Sequence, residues 1–284
     1  MPSIAIITDT DSSLPLELAK EYHIVEVPIL IQFGEESFRD VYDIGNAAVF
    51  ARADREGKLP KTAAPSPGKF IETFQTAFEA GADQILCLTI SGEMSAVYSS
   101  ACSAAEMFPG KSIKVVDTRS VAYGEGLMVI EAAKAIADGA SMEEAVTAAE
   151  NLSNRTHLFA ALSTLKYLAM SGRVGQVAAG FGTLFEVKPI LTLRNKKLEM
   201  LERIRTQGKA WARTIELAIE ASGGCAVEQL AILHVNAPEA AGQFERLVRA
   251  ALPCPPEMRH VEMTPGLSIH TGDGLVGLVL VTKK

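Results

Sequence analysis

The sequence predicts two α/β domains: an N-terminal α/β/α domain on a parallel sheet over residues 1–155, and a C-terminal α+β domain with a mixed or antiparallel sheet over residues 156–284. Three observations carry this. At 284 residues the chain is long for a single core. Strand and helix signals alternate through the first half, the pattern of a parallel sheet wrapped by helices. After Arg155 the pattern changes, and the runs Lys188 to Leu193 and Lys197 to Ile204 flank the polar segment Arg194-Asn-Lys-Lys, which suggests an antiparallel hairpin.

In chain order, Ser3 to Thr8 is a short apolar strand, and Ser13-Leu-Pro-Leu-Glu opens a helix with Pro15 in its first turn. Val25 to Phe33 reads as one strand, and Asp40 to Lys58 is mixed. Ser66 caps a helix with Pro67 at its first position, and Gly81 ends it. Gln84 to Ile90 and Ser112 to Asp117 are strands, with a helix over Ser95 to Phe108 between them. An Ala-rich helix covers Gly126 to Asp138, and Ser141-Met-Glu-Glu144 is a capping box for the next. Beyond the boundary, strands are expected at His157 to Leu162, Gln229 to Val235, Met258 to Met263 and Val276 to Thr282. Helices are expected at Thr206 to Ala221 and Pro238 to Leu252.

Composition bounds the function classes. The chain is 48% hydrophobic and 21% charged with a net charge of −7, and no basic run stands out. An acidic balance argues against nucleic acid or an anionic membrane as the main partner. No window is apolar enough to span a bilayer, since Val177 to Leu193 is broken by Glu186 and Lys188, so no stable membrane insertion is expected. No secretory leader opens the sequence, which makes the cytoplasm the expected compartment. Cys87, Cys102, Cys225 and Cys254 are scattered without a C-x-x-C spacing and read as buried, reduced thiols.

Loops that follow the strands of a parallel sheet gather at its carboxyl edge, where ligands bind. Asp9-Thr-Asp-Ser12, Ser91 to Ser95 and Asp117-Thr-Arg-Ser120 all follow strand signals. Asp9, Asp11 and Asp117 also suit turn and cap bonding, and Ser95 suits both a helix N-cap and a ligand donor. A second polar segment is Leu267-Ser-Ile-His-Thr-Gly-Asp-Gly-Leu-Val-Gly277. Its glycines let backbone N–H groups approach a ligand, and His270 beside them can hold or lose a proton near neutral pH. Such a segment could grip a carboxylate or phosphate, and it could equally be a hairpin-like turn with an exposed histidine. His23, His157, His234 and His260 read as surface or packing residues. No nucleophile elbow, phosphate loop, dinucleotide fingerprint or H-E-x-x-H zinc motif is present, and neither a metal site nor a catalytic set is expected.

Six segments, in order, resemble the signatures of the DegV family of bacterial fatty-acid-binding proteins. They are Ile7-Thr-Asp-Thr-Asp-Ser12, Lys61-Thr-Ala-Ala-Pro-Ser66, Ile90-Ser-Gly-Glu-Met-Ser-Ala-Val-Tyr98, Leu165 to Arg173, the pair Lys188-Pro-Ile-Leu191 and Arg203-Ile-Arg-Thr206, and the His270 segment. Thr62, Ser95, Arg173 and His270 match the family pattern. Thr10, Ala63, Gly92, Ala96, Val97 and Asp273 depart from it, which bears on the fine shape of the head-group site. The resemblance implies a long-chain fatty acid such as palmitate as ligand, held between the domains, with no cofactor. It implies Thr62 and Ser95 as donors to the carboxylate with His270 supporting them. Arg173, Ser91, Thr271, Asp9 and Thr10 are secondary contacts to ligand or partner, Arg173 at the entrance. It further implies a partner, an ATP-binding fatty acid kinase subunit to which the carboxylate is presented for acyl-phosphate formation, the chain itself being non-catalytic. Two alternatives stand beside it: a hydrolase or transferase using Ser95 or Ser91 with His270, and a lipid sensor or storage module without a kinase partner. Phe159, Phe181, Leu184, Phe185 and Ile190 are candidates for core or for an acyl tunnel.

Overall fold

The computed structural model describes residues 3–172, 187–194 and 197–283. In chain order its elements are β1 (Ile4–Asp9), a 3-10 turn (Thr10–Ser12), α1 (Leu16–Glu21), β2 (Ile24–Val27), β3 (Leu30–Phe33), β4 (Glu36–Arg39), α2 (Asn46–Glu56), β5 (Lys61–Ala63), α3 (Pro67–Glu79), β6 (Gln84–Thr89), α4 (Val97–Ala105), β7 (Ser112–Asp117), α5 (Tyr123–Ala137) and α6 (Met142–Ser153). They continue with β8 (Thr156–Ala161), α7 (Lys166–Met170), β9 (Lys188–Arg194), β10 (Lys197–Ile204), α8 (Gln207–Ser222), β11 (Val227–His234), α9 (Pro238–Ala251), β12 (Arg259–Glu262), α10 (Pro265–Thr271) and β13 (Val276–Thr282). The chain forms two compact units. The first comprises Met1–Gln32, Glu36–Asp43 and Thr62–Asn154, and the second Phe33–Glu35, Ile44–Lys61 and Arg155–Lys284. The second unit therefore takes α2 from the first half of the chain.

The first unit is built on a parallel sheet of order β2-β1-β6-β7. Ile7, Ile85, Leu86, Cys87 and Leu88 are fully buried in it, as the near-continuous apolar runs of a parallel sheet require. Ser66 caps α3 by accepting from Lys69 N–H, with Pro67 at the first position, and Ser141 and Glu144 close the capping box of α6 in both directions. These two helix starts follow the sequence reading. The run Val25 to Phe33 does not: it is broken at Pro28 into β2 and β3, because a proline has no N–H to give to a ladder. Strands β4, β3 and β5 form a small separate sheet in that order.

The second unit holds a mixed sheet of order β10-β9-β8-β13-β11-β12. All its pairings are antiparallel except β11 with β12. The hairpin β9–β10 pairs Lys188 with Ile204 and Arg194 with Lys197, with an irregularity between Met200 and Glu202. α8 and α9 pack on this sheet through Trp211, Ile215, Phe244 and Val248, which join Phe159, Ile232 and Leu278 in one core cluster. The rings of Trp211 and Phe244 lie 5.7 Å apart. Phe159 thus belongs to ordinary core. Ile190 is fully buried as well, while Phe181, Leu184 and Phe185 lie outside the described residues. Among the cysteines Cys87 is buried, Cys102 and Cys254 are half-buried, and Cys225 is exposed, which corrects the reading of all as buried thiols. Among the described residues, no helix is long and apolar enough to cross a membrane.

Candidate functional site

Strands β1, β6 and β7 end at one edge of the first unit's sheet, and the loops that leave them carry the polar residues singled out in the sequence. Asp9 closes β1 and is fully buried. Its Oδ1 accepts from Asp11 N–H at 3.0 Å and its Oδ2 from Ile90 N–H at 2.9 Å, so it ties the β1 turn to the start of the Ser91 loop. Thr10 is fully buried too; its hydroxyl donates to Asp40 Oδ2 at 2.9 Å and accepts from Ile29 N–H at 3.0 Å. Asp117 accepts from Gly92 N–H at 3.2 Å and Arg119 N–H at 2.8 Å. Asp9 and Asp117 do the turn bonding that short polar side chains offer, each accepting from the N–H two residues on, whereas Thr10 ties the turn to Ile29 and Asp40.

Beneath this edge lies a group the sequence did not reveal. The first turn of α5 brings Glu125, fully buried, against β1. The approach depends on Gly126, where a Cβ would meet the Ser12 carbonyl oxygen at 2.8 Å. Glu125 Oε1 accepts from the Thr8 hydroxyl at 3.3 Å, and the Asp9 and Glu125 carboxyls act on one another electrostatically. Burial pushes Asp9 up from 3.8 to about 7, against the lowering effect of its backbone donors. Burial first, then the Asp9 and Asp11 charges, push Glu125 well above its ordinary range. Two buried carboxyls that repel one another cannot both ionise cheaply. Burial and mutual repulsion thus favour a shared proton on the pair.

Above the pair runs the loop to α4. Ser91 is fully buried, and its carbonyl accepts from Met94 and Ser95 N–H at 2.9 and 3.1 Å. This turn lifts Ser95 to partial exposure just before α4. Its hydroxyl oxygen accepts from Val97 N–H at 3.4 Å, a long contact at a helix N-terminus, where backbone N–H groups favour an anion. Thr62, the middle residue of β5, is also partly exposed.

In the second unit His270 does not sit in a hairpin-like turn. It occupies the last turn of α10, a helix of 7 residues with Pro265 at its first position. The sequence does not announce this helix because Gly266 and the β-branched Ile269 and Thr271 are weak helix formers. His270 is half-buried and Ser268, on the same helix, fully buried. Thr271 makes long bonds back to the Leu267 and Ser268 carbonyls, at 3.5 and 3.4 Å. Gly272 follows with φ +90°, and a Cβ there would lie 2.2 Å from the Tyr167 ring. Arg173 lies outside the described residues. The structure thus gathers Asp9, Thr10, Ser91 and Ser95 at one edge of the first unit, which also holds Thr62, and places His270 and Thr271 together in the second. Asp40, Glu125 and Tyr167 were missed; Glu125 had one available signal, a carboxylate in the otherwise apolar first half of α5, Tyr123 to Ile130. Among the described residues no group of three or more His, Cys, Asp or Glu could hold a metal ion.

Comparison with known proteins supplies the family. The model of the family described as "Uncharacterised protein, DegV family" matches residues 3–283. A DegV domain-containing protein of Streptomyces coelicolor is 33% identical over 280 residues, covering 99% of each chain. A DegV family protein from Thermus thermophilus, solved in a study of its fatty acid binding, superposes with a TM-score of 0.90 at 30% identity over 100% of both chains. DegV of Bacillus subtilis, described as a fatty acid binding protein, gives 0.88 at 25% identity over 100% of both chains. The family match and these full-length likenesses agree with the order of motifs in the sequence, and the chain belongs to the DegV family.

Proposed function

We propose that this protein binds a long-chain fatty acid, such as palmitate, and presents its carboxylate to a separate ATP-dependent kinase subunit that forms the acyl phosphate. The observation that carries the lipid-binding part is the full-length likeness to the T. thermophilus protein, whose fatty acid binding is documented. In this reading Thr62 and Ser95 donate to the carboxylate and His270 supports them. All of these are partly exposed, whereas Asp9, Thr10 and Ser91 are buried and act by shaping the loops. Arg173 and Thr271 would face the phosphate or the partner, and a guanidinium suits that task because its fork matches phosphate oxygens. The chain is non-catalytic in this scheme, requires no cofactor, and works in the cytoplasm beside its ATP-binding partner.

The energetics permit it. A buried tail of ~14 methylenes offers a gross gain of roughly 11 kcal/mol at ~0.8 kcal/mol per group. Ordering and association take a large part of this, and sub-micromolar affinity remains. The test begins with organic extraction of the purified protein and mass spectrometry of the extract. A stoichiometric long-chain fatty acid is expected. Its removal should lower Tm, and adding C14 to C18 acids should restore it, since a ligand of the folded state alone stabilises by mass action. An empty extract with no thermal shift would end the reading.

The head-group assignment has its own test. Ser95→Ala and Thr62→Val should each weaken fatty acid binding by ~1–3 kcal/mol, the worth of a hydrogen bond to a charged group. Because the two share one carboxylate, their double variant should depart from additivity. Parent-like titrations of both single variants would move the site elsewhere. Incubation of the fatty-acid-loaded protein with ATP and a fatty acid kinase ATP-binding subunit should yield acyl phosphate, and omission of the protein, the fatty acid, ATP or the subunit should abolish it. Ester hydrolysis by the chain alone that vanishes in Ser95→Ala would favour a serine hydrolase instead.

A further inference from the structure

The second unit contains a buried polar network centred on Asn46, the first residue of α2 and only 5% exposed. Its amide nitrogen donates to the Met263 carbonyl at 2.7 Å and to Glu262 Oε1 at 3.0 Å. Its amide oxygen accepts from the Ser268 hydroxyl. Glu262 Oε1 also accepts from Asn236 N–H at 3.2 Å, and Met263 N–H donates to the His234 carbonyl at 2.8 Å. One amide thus joins the ends of β11 and β12 to the middle of α10. Nothing in the capping of α2 requires this, since Gly45 is its N-cap and no side chain caps it.

The consequence lies two residues further along α10. Ser268 is fully buried and His270 half-exposed. At ~100° per residue they point to opposite sides of the helix. Asn46 therefore grips α10 by the face turned away from the imidazole. α2 supports the same structure a second time, one turn on: Phe50 packs edge-on against Tyr167 at 5.8 Å, and the Tyr167 ring covers Gly272, just beyond α10. A helix of 7 residues has little stability of its own. Its orientation comes from what holds it.

We infer that Asn46, through Ser268, is a positioning residue for His270, so that α2 sets the affinity for the fatty acid carboxylate without touching it. The inference rests on the assignment of His270 to the head group proposed above. A side chain aimed at a ligand needs support from buried, satisfied neighbours to keep its geometry, and an unsatisfied amide or hydroxyl in this interior would let α10 shift.

The experiment is a double-mutant cycle read by palmitate titration of the full-length, delipidated protein, with imidazole NMR at fixed pH as a second measure. Asn46→Ala and Ser268→Ala should each weaken palmitate binding ~10-fold, about one hydrogen bond's worth, and each should move the His270 ring resonances. In the His270→Ala background the same changes should cost almost nothing more, because they act through that ring. Additive losses in that background, or unmoved His270 resonances, would overturn the inference. If His270→Ala binds palmitate like the parent, the head-group assignment fails; the resonances then judge the Asn46 link separately. Should Asn46→Ala not fold, Ser268→Ala, which removes a single hydroxyl, carries the test alone.

Discussion

Glu125→Gln should stabilise the protein at pH 8 by ~2–4 kcal/mol and flatten its stability between pH 5 and pH 8. The sign follows from proton counts. Folding buries Glu125 and Asp9 completely, and burial raises both, Asp9 to about 7. Between roughly pH 4 and pH 7 the folded chain holds protons that the unfolded chain has released. The stability this contributes is full below the ordinary carboxylate range and is lost as pH rises through the folded value. Each pH unit in that window costs roughly 1–1.5 kcal/mol per group. A glutamine needs no proton. Its amide can accept from the Thr8 hydroxyl and donate to Asp9, which then has three donors and lower cause to stay neutral. Asp11 and Cys87 are the other titratable groups beside the pair, and burial pushes the Cys87 thiol up as well. Glu26 contributes to the slope in the same direction, since burial lifts it to about 7, so the comparison is with the parent at each pH. Urea midpoints at pH 5 and pH 8 decide the matter. A variant less stable than the parent at pH 8, or one with the parent's full slope, would mean that the pair holds no proton.

That pair shows where the sequence was legible and where it was not. The parallel sheet could be read because apolar runs and helix caps are local signals: Ser66 with Pro67 and Ser141 with Glu144 each announce a helix within four residues. The hairpin after Lys188 was legible for the same reason. Asp9 and Ser95 could be placed at a sheet edge, since chain order alone puts post-strand loops there. What stayed hidden depended on contacts across the sequence. Glu125 meets Asp9 over more than a hundred positions, and Asn46 meets Ser268 over more than two hundred; no periodicity encodes either. α10 was missed for a different reason. Its residues favour turn or strand by propensity, whereas in the fold Leu267, Ser268 and Ile269 are buried and Ser268 is bonded to Asn46. The family motifs singled out His270 without revealing that it stands on a helix.

Gly272→Ala should be the most damaging single change near His270, with ~2–4 kcal/mol lost from two separable causes. The first is the backbone: φ of +90° with ψ of 162° is a conformation that L side chains rarely adopt. The second is space, for the new Cβ would lie 2.2 Å from Cδ2 and 2.7 Å from Cε2 of Tyr167. Something must shift to remove the overlap, and the expected change is a displaced Tyr167 ring that loosens its contact with Phe50. The double variant Gly272→Ala with Tyr167→Ala separates the causes. It restores room and leaves the backbone strained, and it also forfeits the Tyr167–Phe50 contact. Relative to Tyr167→Ala alone, adding Gly272→Ala should then cost only ~1–2 kcal/mol, the backbone part. Denaturant midpoints of the four proteins give both numbers. An equal cost of Gly272→Ala with and without the tyrosine would show that the ring yields freely and that strain in the backbone alone makes glycine necessary there. A parent-like Gly272→Ala would contradict both causes and place the end of α10 elsewhere.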